Sequence, residues 1–170
     1  MSGPMPEPRL IRIEKGIAGA CFAAVMLSIF LQVVTRLLPK FLGNWAIISL
    51  PWTEELSRFA FVWLLMLGAS VGLYKQEHFS LTLFTDLLSP ALRWWCELVV
   101  YLLELVFIGF LIWYGYLMSE MVWGQISPAL GWRYAYVYSS VPVGAVLMAV
   151  HLLTVMRNRY LGPSPAPREA

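Results

Sequence analysis

Between Lys15 and Arg36 the chain carries no charged residue. The intervening stretch, Gly16 to Thr35, is about 20 residues long, and as a helix rising 1.5 Å per residue it crosses a hydrocarbon core of about 30 Å. A soluble fold has little room for such a run. The rest of the sequence repeats the pattern. Of 170 residues, 59% are hydrophobic and 13% charged, with a mean hydropathy of +0.68. Soluble domains are about a quarter charged. The charges here sit in a few islands between long apolar spans, which points to an integral membrane protein.

Other classes fall away on the same grounds. A net charge of +2 without a basic stripe does not suit nucleic acid. Cys21 and Cys96 are isolated and form no CxxC pair, so neither a disulfide framework nor a thiol-redox centre is indicated. A cleaved leader would show a small-residue cleavage site, but Arg36-Leu37-Leu38-Pro39 follows Thr35. The first span, over residues 16–38, is therefore expected to stay as an uncleaved helix.

The stretch from Trp52 to Phe84 organises the middle of the chain. Thr53 can cap a second helix over residues 53–74, and Glu54 and Glu55 complement its positive N-terminal dipole. Arg58 lies within i,i+3 and i,i+4 reach of both carboxylates. Gly68 and Gly72 form a GxxxG pair that would let another helix approach closely. Beyond Lys75, Glu77 and His78, residues 80–88 alternate apolar and polar faces. That pattern predicts a short amphipathic helix lying in the membrane interface.

Ser89-Pro90 is a start signal for a third span over residues 90–118. Ser127-Pro128-Ala129-Leu130-Gly131 reads as a capped turn stopped by glycine. A fourth span covers residues 134–156, and the Pro-rich tail at 161–170 is expected to be disordered. Trp45, Trp52, Trp94 and Trp95 flank the spans, where indole rings anchor at the headgroup layer. The expected fold is an all-α integral membrane protein in one domain, with four transmembrane helices and one interfacial helix. Eight Lys and Arg fall on the side of the termini and four on the other, which predicts both termini in the cytoplasm.

Few residues suggest chemistry. Glu104 lies inside the third span with Glu97 on the same face, and a carboxylate at membrane depth must face protein or water. It could serve an ion-coupled exporter or a subunit contact. Glu54, Glu55 and Arg58 could form a self-satisfied cluster or a docking point. Gln32 suits a helix-helix hydrogen bond. His78 and His151 fall at unequal depths, which argues against a shared haem iron. No catalytic set, metal-ligand spacing, phosphate loop or dinucleotide fingerprint is present, so neither an enzyme nor a cofactor is expected.

Taken together, several segments carry a resemblance. They are Trp52-Thr53-Glu54-Glu55 with Arg58, Phe61-Val62-Trp63, Leu67-Gly68-Ala69, Glu77-His78, Ser127 to Gly131, and Pro142-Val143-Gly144 with His151. In this order the chain resembles the small, DctQ-type membrane subunit of tripartite ATP-independent periplasmic (TRAP) transporters. It looks like the separate small subunit, not the form fused to the large one. Phe79-Ser80-Leu81-Thr82 departs from the charged pattern that often follows the histidine in the family, so no charged role is carried over there.

The resemblance implies a sodium-coupled secondary transporter for organic acids in the bacterial inner membrane. It implies a large DctM-type partner moving by an elevator motion and a periplasmic DctP-type binding protein. The small subunit would be a scaffold. Gly68, Gly72, Glu97 and Glu104 would face neighbouring helices, and Glu54, Glu55 and Arg58 would contribute to docking. The alternative is a stand-alone exporter built on Glu104.

Overall fold

The computed structural model of the chain describes residues 9–43, 49–75 and 90–160. The expected interfacial helix at 80–88, His78, Trp45 and the tail at 161–170 lie outside these residues. The described chain is helical: α1 (Arg9–Leu42), α2 (Pro51–Tyr74), α3 (Pro90–Met121), a short α4 (Ala135–Tyr138) and α5 (Ser140–Tyr160). Four membrane-length apolar segments are present among them, with α4 and α5 counting as one.

The helix ends follow from local chemistry. Gly43 closes α1 with φ 89°, and its N–H donates to Pro39 O at 3.0 Å. That is the left-handed cap that a glycine makes without a Cβ penalty. At the start of α2 the structure corrects the sequence reading. Pro51 takes the first turn, where its missing N–H costs nothing. Leu50, not Thr53, is the cap residue, and the Thr53 hydroxyl turns back to donate to Leu50 O at 2.7 Å. The last span is broken at Ser139, three residues before Pro142, which has no N–H to offer Tyr138 O. Val143 N–H resumes the ladder on Ser139 O at 3.2 Å.

Packing runs from α1 to α2, from α2 to α5, and from α5 to α3. The spans therefore neighbour one another in the order first, second, fourth, third. Two glycines set the spacing of α5. A Cβ on Gly144 would sit 2.7 Å from Met66 Cβ of α2, and one on Gly115 of α3 would sit 2.8 Å from Pro142 Cδ. Around these approaches Met66, Ile108, Ala145, Met148 and Leu152 form the buried cluster. The flanks remain open: Leu103, Phe107 and Trp113 are 64%, 62% and 65% exposed. Such surfaces fit a hydrocarbon solvent, where the backbone is satisfied within each helix and apolar side chains need no protein cover.

Candidate functional site

Polar groups are concentrated in two places within the helix layer. The first is where α2 begins. The Glu55 carboxylate reaches across to the loop between α3 and α4. It accepts a hydrogen bond from the Ser127 hydroxyl and others from the N–H groups of Leu130 (2.9 Å) and Ala129 (3.2 Å). Ser127 Oγ also accepts the Leu130 N–H at 3.3 Å, and Gly131, with φ 68°, donates its N–H to Ser127 O at 3.0 Å. Ser127 N–H in turn bonds Trp132 O at 2.8 Å, closing a small antiparallel bridge between Ile126 and Arg133. Phe59 packs its ring beneath Trp132 and Tyr134. One carboxylate thus organises a loop more than seventy residues away in sequence.

Its neighbours do something different from what helical spacing suggests. Glu54 pairs with Arg36 of α1 at 3.3 Å, with both side chains largely exposed. Arg58 attracts Glu55 through its charge. It makes no hydrogen bond or ion pair among the described residues. Arg58, Glu54, Ser57 and Gln32 line a cavity of about 340 Å³ between α1 and α2. The Gln32 Nε2 is buried without a hydrogen-bond partner among the described residues.

The second place was not found from sequence. Glu14 and His151 are each 3% exposed, and His151 Nε2 lies 2.9 Å from Glu14 Oε1. The Ser70 hydroxyl, fully buried, donates to Glu14 Oε2 at 3.1 Å, and Tyr74 presents an edge contact to the imidazole at 5.4 Å. Three helices meet at this one carboxylate. Glu14 stands among Arg9, Arg12 and Lys15, ahead of the uncharged run that begins at Gly16. The signal existed: positions 11, 14, 18, 21, 25, 28 and 32 keep a helical stripe running back through the charges.

The remaining sequence candidates divide clearly. A Cβ on Gly68 or Gly72 would meet nothing within 4 Å among the described residues. Glu104 is half-buried and lines an apolar groove of about 580 Å³ between α2 and α3. Glu97 lies on α3, with its side chain outside those described. Trp94 and Trp95 stack edge to face at 5.1 Å, and with Trp52 they are exposed. Among the described residues no cluster of metal-ligating side chains occurs.

Comparison with known proteins addresses the rest. The chain is 28% identical over 137 residues to the sialic acid TRAP transporter permease protein SiaT of Haemophilus influenzae, covering 81% of this chain and 21% of that protein. It is 28% identical over 142 residues to the isethionate TRAP transporter permease protein DctMQ of Oleidesulfovibrio alaskensis, covering 82% and 22%. It thus spans about a fifth of the length of these two relatives. Against the sialic acid TRAP transporter small permease protein SiaQ of Vibrio cholerae it is 28% identical over 146 residues, covering 86% of this chain and 80% of the relative. The family model described as tripartite ATP-independent periplasmic transporters, DctQ component, matches residues 25–161. With most of its length inside that match, the chain belongs to the DctQ component family of TRAP transporters.

Proposed function

We propose that the chain is the scaffold subunit of a sodium-coupled TRAP transporter that takes up an organic acid. It works with a large DctM-type permease component and a periplasmic DctP-type binding protein. The observation that carries this reading is the division of polar groups. Glu55 and Glu14 are spent on holding the chain's own helices together. The broad apolar flanks and the groove at Glu104 are left for neighbours. A rigid layer of this kind supports a moving partner and carries no transport path of its own.

The family match supports a transporter component and gives no support to an enzyme. The names of the relatives, with sialic acid and isethionate among their substrates, support an organic acid without selecting one. In this reading the chain lies in the bacterial inner membrane with both termini cytoplasmic. The tryptophans hold its depth, and Glu54, Glu55 and Arg58 sit on the periplasmic docking side. Glu54 and Arg58 supply the accessible charge there, since Glu55 is occupied by the loop it clasps.

Reconstitution into liposomes tests the proposal. Uptake of the acid under an inward sodium gradient is expected only when this chain, the large component and the binding protein are all present. Transport by this chain alone, abolished by Glu104→Gln, would replace the scaffold reading with the exporter.

A further inference from the structure

Helices α1 and α2 run antiparallel, with Glu14 opposite Ser70 at one end of the pair and Arg36 opposite Glu54 at the other. The cavity of about 340 Å³ at that second end is built in tiers. At its mouth Glu54 pairs with Arg36 at 3.3 Å. One helical turn further in, about 6 Å along each helix, stand Gln32 and Arg58. Below them come Ile29 and Phe61, both exposed, and then the buried Val25. The middle tier is short of partners. Gln32 Nε2 is buried without an acceptor among the described residues. Arg58 meets Glu55 only through its charge, because that carboxylate is turned to the loop it clasps. The Ser57 hydroxyl already donates to Glu54 O at 2.9 Å, so it forms wall and offers no donor.

We propose that this cavity seats the headgroup of one phospholipid bearing a phosphodiester and a primary ammonium, a phosphatidylethanolamine. A guanidinium within a membrane-spanning helix needs an anion beside it. The planar fork of arginine takes phosphate through two parallel hydrogen bonds, and Gln32 Nε2 supplies another donor from the facing helix. One phosphate therefore satisfies both groups. The tiers also follow the order of groups along such a lipid. The ammonium lies outermost beside Glu54, the phosphate between Arg58 and Gln32, and the glycerol and first methylenes against Ile29 and Phe61. Glu54 selects the headgroup, since its carboxylate attracts an ammonium and repels a headgroup of net negative charge. The volume falls within the range of small-ligand sites, about 300–1,000 Å³, but the exposed apolar rim opens to the hydrocarbon flank, which suits an amphiphile better than a free anion. An acidic side chain of a docking protein is the poorer occupant, because reaching Gln32 takes it a turn below the Arg36–Glu54 pair and into the apolar span. The proposal needs only that the chain crosses a membrane, and stands apart from the scaffold reading. On that reading Arg58 acts on the docking side through the phosphate it holds.

The test begins with the chain purified from native membranes in mild detergent, with any component that stays with it, and retained lipid is identified by native mass spectrometry. Phosphatidylethanolamine, phosphatidylglycerol and diacylglycerol of the same acyl chains, and inorganic phosphate, are then added separately to delipidated protein and the melting temperature is followed. The expected result is one retained phosphatidylethanolamine per chain. Adding it should raise the melting temperature saturably by several degrees, phosphatidylglycerol less, and diacylglycerol or inorganic phosphate not at all. Arg58→Gln and Gln32→Met are each expected to lower retention and the thermal shift several-fold, while Arg157→Gln, at an exposed arginine of α5, changes neither. Glu54→Gln should still hold lipid but lose the preference for phosphatidylethanolamine. Retention equal to wild type in both Arg58→Gln and Gln32→Met would overturn the site. An equal shift with diacylglycerol would overturn the phosphate contact. A shift with inorganic phosphate alone would make this a free-anion site and overturn the lipid. Equal shifts with the two phospholipids in the wild-type chain would overturn the selection by Glu54.

Discussion

His151 of α5 and Glu14 of α1 meet behind α2, with Nε2 of one 2.9 Å from Oε1 of the other and both side chains buried. The pair joins the beginning of the described chain to its end, and Ser70 adds the helix between them. Breaking a buried pair by removing one partner strands the other, at about 3–5 kcal/mol. His151→Leu is therefore expected to lower the melting temperature of the purified chain in mild detergent. The double variant Glu14→Leu/His151→Leu is expected to recover part of the loss, because the pair is then removed as a unit and only the Ser70 hydroxyl loses its Glu14 acceptor. A double variant as unstable as the sum of the two single ones would show that the pair is not a coupled unit.

The loop from Ser127 to Gly131 is held by a carboxylate from another helix. Glu55→Ala removes the acceptor for the Ser127 hydroxyl and for two backbone N–H groups at once. Amide exchange at Ala129 and Leu130 is expected to accelerate several-fold, with exchange in the middle of α2 unchanged. Equal rates in wild type and variant would mean that the loop is fixed by its internal bonds alone.

Glycines separate into two groups with opposite expectations. Gly115→Ala and Gly144→Ala place a methyl 2.8 and 2.7 Å from atoms of the neighbouring helix, so each should destabilise the isolated chain by about 1–3 kcal/mol. Gly68→Ala and Gly72→Ala meet nothing within 4 Å and should leave its melting temperature unchanged or slightly raised, since alanine is the better helix former. On the proposed scaffold role, their effect is expected in assembly with the large component. A marked loss of stability for Gly72→Ala in the isolated chain would contradict this division.

Gln32 offers a test of a different kind. Its buried Nε2 has no acceptor among the described residues, and an unsatisfied buried donor costs about 1–3 kcal/mol. Gln32→Met keeps the length of the side chain and removes the donor. The isolated chain is expected to be as stable as wild type or more so in thermal unfolding. A clear drop would reveal an acceptor for Gln32 outside the described residues.

The four spans were legible because charges mark where helices may leave the bilayer, and the motifs around Glu54, Glu55 and His151 pointed to the family. The neighbour order was not legible. In lipid a helix can be apolar on every side, so hydrophobic periodicity does not distinguish a face toward protein from one toward acyl chains. Gly68 and Gly72 drew notice as a spaced pair. The glycines that admit a neighbouring helix within the chain, Gly115 and Gly144, belong to no spaced pair, and Gly144 drew notice only within Pro142-Val143-Gly144. The partner of Glu54 was hidden for a related reason. Helical spacing lists which residues can touch, but Arg36 on α1 lay within reach of Glu54 and took it.

The central claim is that this layer of helices is a support for a larger permease component. It is tested most directly by isolating the chain from native membranes in mild detergent and determining what comes with it. The account predicts a stoichiometric large membrane protein in the eluate. A homo-oligomer of this chain alone, stable in the same detergent, would contradict it.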